Sequence, residues 1–168
     1  MPQCIDIFEL ARRGETIEGE VAVKDLANLL GFTATANGML RFAASGLGEV
    51  RGLPAVDLDM EGEVELACAR CLKPLTVHIA SGAVFRLVKT EAEANALPIE
   101  DDEEDEDVLV GSRQFDLEKW VEEEAILSLP RMVVHDVCEE KREWKDDEES
   151  PEEKRPNPFA ALAALKKQ

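Results

Sequence analysis

At 168 residues, 45% of them hydrophobic, the chain is long enough for one ordinary domain with its own core and a tail beyond it. Its formal net charge of -18 is unevenly placed: residues 1–90 carry nine basic and twelve acidic side chains, residues 91–168 ten basic and twenty-five acidic. A surface of that sign repels phosphate and lipid headgroups and attracts cationic partners, so the acidic half excludes a general nucleic-acid or membrane-surface binder.

The opening shows no basic-then-apolar leader, and no apolar run approaches the roughly 18 residues of a membrane span. A cytoplasmic protein with four reduced cysteines is therefore expected. Residues 5–14 mix apolar side chains with a stop signal, Arg12 and Arg13 before Gly14, which predicts a short helix or docking arm. Gly19-Glu20-Val21-Ala22-Val23 alternates and reads as a strand. Asp25 is placed to cap a helical turn or two carrying Leu26, Leu29 and Leu30 as far as Gly31. Residues 39–43 read as a second strand, residues 46–52 as a flexible segment, and Pro54 as the start of a long hairpin.

That hairpin carries the clearest pattern in the chain. Leu58, Met60, Val64, Leu66 and Cys68 hold even positions, while Asp57, Asp59, Glu61, Glu63 and Glu65 hold odd ones. Successive strand side chains point to opposite faces, so one face is buried and the other presents a row of carboxylates. Beyond the turn Cys68-Ala69-Arg70-Cys71-Leu72-Lys73-Pro74, the apolar face continues through Leu75, Val77 and Ile79 and then Ala83, Phe85 and Leu87. His78 falls on the surface face.

Residues 91–97 are Ala-rich, and eight consecutive carboxylates follow at 100–107. Like charges with nothing apolar to bury cannot collapse, so residues 98–107 are expected to form a mobile acidic loop. Residues 108–110 suit a short strand. Asp116 then fits the N-cap of a helix that Pro130 ends, with Leu117, Trp120, Val121, Ala125 and Leu127 on its buried face and Glu122 and Glu123 in water. Residues 139–155 mix both charges and read as a linker. In residues 156–168 Asn157 can cap, Pro158 suits the first helical position, and Lys166 and Lys167 complement the C-terminal dipole. Phe159, Leu162 and Leu165 line one side of a helix too short to stand alone. The linker before it favours docking in a partner's groove over packing on its own domain.

Cys68 and Cys71 have the spacing of half a zinc site, and His135 with Cys138 supplies a second pair of the same spacing. The competing reading makes Cys68 the buried end of a strand and Cys138 an ordinary thiol. A thiol oxidoreductase needs the first cysteine at a helix N-terminus, whereas here a strand precedes the pair and Pro74 follows it. Phosphate loops, nucleophile elbows and His-Glu-x-x-His helices are absent from the sequence. The expectation is no enzyme and no small-molecule substrate.

Three blocks resemble the YceD-type large ribosomal RNA subunit accumulation proteins of bacteria and plastids. They are Cys68-Ala69-Arg70-Cys71-Leu72-Lys73-Pro74; Phe115-Asp116-Leu117 leading to Val121-Glu122-Glu123-Glu124-Ala125-Ile126-Leu127-Ser128-Leu129-Pro130, with His135 and Cys138 after it; and Asn157-Pro158-Phe159-Ala160-Ala161-Leu162-Ala163-Ala164-Leu165-Lys166. The acidic insert before the helix and Ala11-Arg12-Arg13-Gly14 also fit. The resemblance implies a non-enzymatic part in the synthesis, processing or stability of 23S ribosomal RNA, hence in large-subunit assembly. Some relatives carry a second Cys-x-x-Cys after the helix, where this chain has His135 and Cys138.

The whole predicts an α+β fold in residues 1–138, with a mostly antiparallel sheet, open to curling toward a barrel, under one main helix. Residues 139–155 form the charged linker and residues 156–168 the helical docking motif. One function reading is an assembly factor that holds a basic ribosomal protein or a large-subunit precursor RNA complex. Another is direct RNA binding, with Arg12, Arg13, Arg41, Arg51, Arg70, Lys73, Arg86 and Lys89 gathered on one face and Arg70 and Lys73 in contact. The third is a small zinc or redox protein built on the cysteines.

Overall fold

A computed structural model describes residues 4–97 and 106–138. In chain order these form β1 (Cys4–Ile5), α1 (Ile7–Arg13), β2 (Thr16–Ala22), single 3-10 turns at Val23–Asp25 and Leu29–Gly31, β3 (Gly38–Val50), β4 (Leu53–Ala67), β5 (Pro74–Val88), α2 (Glu91–Ala96), β6 (Glu106–Val110), β7 (Phe115–Asp116) and α3 (Leu117–Leu127). The main sheet runs β2-β3-β4-β5-β6 and is antiparallel except where β6 lies parallel to β5; β1 and β7 pair separately.

The alternation in β4 does what its period requires. Leu58, Met60, Val64, Leu66 and Cys68 are buried, and Asp59, Glu61 and Glu63 face water. Across the sheet Met60 stands between Phe42 and Ser81, while Asp59 stands between Ala43 and Gly82, so the rows of each face continue through three strands.

The sheet stays open, contrary to the barrel form the sequence allows. Edge strand β2 pairs with residues 39–45 of β3, edge strand β6 with residues 84–88 of β5, and the two edges sit at different levels of the sheet. Helices close the apolar face instead. That cover is shared rather than given to one helix: α1 contributes Ile7, Leu10 and Ala11, and α3 contributes Leu117, Trp120, Val121 and Ala125. Asp6 and Asp116 cap the two helices, accepting from Phe8 and Glu9 N–H and from Lys119 N–H respectively. Gly14, at φ 63°, ends α1 as Arg12-Arg13-Gly14 foretells.

Several local expectations are overturned. Residues 46–52 are ordered strand and turn, because the glycines have other work there. A Cβ on Gly46 would lie 2.1 Å from the Leu10 carbonyl oxygen, so only glycine lets α1 lie this close to β3. Arg51 and Gly52, both at positive φ, make the two-residue turn into β4. Asp25 caps no helix; it closes the first 3-10 turn, whose N-cap is Ala22. Leu127 is 79% exposed, because at this end of α3 it is Ile126 and Leu129 that pack against the core.

Glu122, expected in water, is buried at 6% exposure. Its carboxylate accepts from Asn28 N–H at 2.6 Å, Leu29 N–H at 3.0 Å and the Asn28 side-chain amide at 2.8 Å. It thus satisfies the free donors of the second 3-10 turn and ties that turn to α3. Glu123 is exposed, as expected.

Candidate metal centre

The buried row of β4 ends at Cys68, and there the chain folds around the sulfur. Leu72 N–H donates to the Cys68 carbonyl at 2.9 Å, Cys68 N–H donates to the Lys73 carbonyl at 3.0 Å, and Leu72 takes a left-handed φ of 61°. This tight turn aims Arg70 N–H at Cys68 Sγ, 3.4 Å away. Pro130 releases the chain from α3, and Ala69 N–H then donates to the Val133 carbonyl at 2.9 Å. That one pairing registers the two segments. It brings His135 N–H to 3.4 Å from Cys68 Sγ, His135 Nδ1 to 3.4 Å from Cys71 Sγ, and Cys138 Sγ to 3.8 Å from Cys68 Sγ.

The four donor atoms of Cys68, Cys71, His135 and Cys138 lie within 4.8 Å of one another, and the cluster could hold a metal ion. A tetrahedral zinc with sulfur at about 2.3 Å and nitrogen at about 2.0–2.1 Å has edges of roughly 3.8 Å between sulfurs and 3.6 Å between sulfur and nitrogen. The observed 3.8 Å and 3.4 Å separations fit those edges. His135 Nε2 lies 3.2 Å from the Pro74 carbonyl, the outer partner that fixes a ligating imidazole with Nδ1 turned to the metal.

The electrostatics agree with the geometry. Burial opposes ionisation of Cys68, but backbone N–H groups of Cys71, His135 and Arg70, with the His135 side chain, outweigh it and bring the thiol from 9.0 down to about 5. Cys138 is pushed up to about 11, by burial first and then by the neighbouring sulfurs of Cys68 and Cys71. Several sulfurs crowded together repel as thiolates until a cation joins them. All four cysteines are free thiols, and a 3.8 Å sulfur separation is far from the roughly 2.05 Å of a disulfide. Four protein ligands fill a tetrahedron and leave no open position for substrate, the pattern of a structural site.

The other expected site residues fall elsewhere. Arg70 and Lys73 are exposed on the turn beside the cluster. They do not join the remaining N-terminal cations on one face: Arg41 pairs with Glu20 on the outer sheet surface, and Arg86 and Arg51 both meet Glu106 at the far end of the hairpin. Phe159, Leu162 and Leu165, the linker 139–155, and residues 98–105 of the acidic run lie outside the described residues, while Glu106 and Asp107 open β6. His78 is a surface side chain. No helix among the described residues is long and apolar enough to cross a membrane.

A helix-covered open sheet, acidic on its outer face and stitched at its longest hairpin by a Cys₃His cluster, defines a knuckle-bearing α+β domain. Residues 56–166 match the model of the family described as large ribosomal RNA subunit accumulation protein YceD, and the chain belongs to that family. The matched stretch begins in β4 and includes the whole Cys–His cluster. Membership implies a role in the accumulation of large-subunit ribosomal RNA. No solved structure matches the chain.

Proposed function

We propose that this chain is a non-enzymatic cytoplasmic factor of large-subunit assembly, acting in the synthesis, processing or stability of 23S ribosomal RNA by holding a basic ribosomal protein or its complex with precursor RNA. The observation that carries the reading is the outer face of the sheet. Asp57, Asp59, Glu61 and Glu63 of β4 continue across β3 to Glu18 and Glu20 of β2, over a concave floor of small residues that includes Ala43, Ala80 and Gly82. Among the described residues, the ion pair on this face is that of Arg41 with Glu20. A cationic segment laid on this face gains attraction that salt weakens. In this reading residues 156–168 add a second hold, with Phe159, Leu162 and Leu165 in the partner's groove, beyond the domain 1–138 and the linker 139–155.

The cluster of Cys68, Cys71, His135 and Cys138 is read as a zinc knuckle that fixes the hairpin tip to the segment after α3; the Cys₃His donor set and the edge lengths favour it. Zinc there would supply charge neutralisation and a cross-link, not catalysis.

The test is recovery of partners from lysate on the tagged full chain, with and without ribonuclease, the bound molecules being identified. Ribonuclease-resistant recovery of one basic ribosomal protein is expected, falling with salt and with Asp59→Asn, Glu61→Gln or removal of residues 156–168. Recovery of large-subunit RNA alone, abolished by ribonuclease, overturns the protein-holding reading. Metal analysis of the purified protein is expected to return about one zinc per chain, lost in Cys68→Ser.

A further inference from the structure

At the end of the hairpin opposite the knuckle, the charge reverses. A cleft of about 750 Å³ opens between α1, the start of β4, the end of β5 and the loop joining β6 to β7, and Arg12, Lys89 and Arg113 all line it. These cations come from three elements far apart in sequence. Gly111 N–H donates to the Val88 carbonyl at 2.8 Å, which brings the loop against the end of β5, and Ile7 N–H meets the Ser112 carbonyl at 3.3 Å, which brings it against α1. A Cβ on Gly111 would lie 2.9 Å from Ile7 and Phe8, so glycine is what allows this closure.

The carboxylates in the cleft are already engaged. Asp6 accepts from the first turn of α1, and Glu9 pairs with Arg13 at 2.5 Å. Arg12 spends its Nε on the Phe8 carbonyl, and none of the three lining cations is in an ion pair among the described residues. All three are exposed, and the half-buried ring of Phe8 stands beside them in the wall. Two guanidinium forks and an ammonium around an aromatic ring are the elements of single-stranded nucleic acid recognition: charge tracks the phosphates, and the ring offers a stacking face.

We propose that this cleft binds the phosphodiester backbone of single-stranded RNA through Arg12, Lys89 and Arg113. RNA is the polyanion that membership of a ribosomal RNA family puts within reach. The site and Arg70 with Lys73 lie at opposite ends of β4, whose 15 residues span about 50 Å at about 3.3 Å per residue, so the cleft and the knuckle turn are separable by mutation.

The experiment is fluorescence anisotropy of a short labelled single-stranded RNA with the full chain, over about 50 to 200 mM salt, where phosphate contacts are most visible. Arg12→Gln/Lys89→Gln/Arg113→Gln is expected to weaken binding at least about tenfold and to flatten the plot of log affinity against log salt by about 2, three contacts at about 0.7 each. Lys89→Gln alone, the gentlest change, flattens it by about 0.7. Arg70→Gln/Lys73→Gln leaves binding unchanged. The inference is overturned if the wild-type chain does not bind, if the triple variant binds equally, if the loss follows Arg70 and Lys73, or if polyglutamate displaces the RNA as readily as unlabelled RNA does. Ribonuclease-resistant recovery of a basic protein is read independently, so failure here leaves the protein-holding reading standing.

Discussion

The two faces of β4 are built from one alternating run of 15 residues and do opposite things. On the inner face Leu58, Met60, Val64 and Leu66 lie under α1 and α3; on the outer face Asp57, Asp59, Glu61 and Glu63 stand in a row with few cations to answer them. Burial of one large apolar side chain contributes about 1.5–3 kcal/mol, whereas like charges along a sheet face oppose folding. The inner face therefore sets the fold, and the outer face is costly unless something outside the chain uses it. Substitutions that sort along this line sharpen the comparison, and those that fail to sort break it.

The largest effect belongs to the inner face. Leu58→Ala empties a fully buried position at the centre of the sheet and is expected to lower unfolding free energy by about 2–5 kcal/mol, read as a shift of the urea midpoint followed by circular dichroism. A loss under 1 kcal/mol would mean that the helices do not pack on this row.

Glu122 comes next and tests the boundary between the faces, because it is a carboxylate on the buried side. Glu122→Ala orphans the N–H groups of Asn28 and Leu29 and should cost about 1–3 kcal/mol. Glu123→Ala, one residue along and exposed, should change the same midpoint by less than about 0.5 kcal/mol. Equal effects would show that the carboxylate count on α3 matters and the hydrogen bonds do not.

Cys68 is where the inner row becomes a site. Cys68→Ser, or treatment with a metal chelator, is expected to raise amide exchange in residues 131–138 while β3 and α3 stay protected, at a global loss of about 1 kcal/mol. The pH dependence has a definite sign. Since the folded state lowers Cys68 to about 5, its thiolate is held at neutral pH, and the contribution fades as pH falls through that value. Metal release on acidification, with the core still folded, is the result to look for.

Pattern and spacing made much of this legible. The period of β4, the caps at Gly14 and Asp116 and the x-x spacing within each of Cys68–Cys71 and His135–Cys138 are local signals, and each reappears in the structure. What stayed hidden depends on partners distant in sequence. Glu122 looked like one more solvated carboxylate because its donors are 93 and 94 residues away. Gly46 and Gly52 looked like flexibility because neither the backbone of α1 nor the turn they serve is visible from residues 46–52. Arg113 escaped notice because only the closure at Gly111 sets it beside Arg12 and Lys89.

The smallest effect is the most direct test of the outer face. Asp57 is raised above its ordinary 3.8, by partial burial first and by the Asp59 charge second. The folded chain then binds this proton more readily than the unfolded one, so the contribution is favourable below 3.8 and lost as pH rises past the raised value. At neutral pH the ionised carboxylate opposes folding. Asp57→Asn should accordingly stabilise the protein, by less than about 0.5 kcal/mol for a group only partly buried, and the gain should vanish in acid. If it also weakens capture of the basic partner, the row is one of charges kept against stability for the sake of binding. If stability rises and capture is untouched, the attraction must come from the acidic residues beyond the sheet.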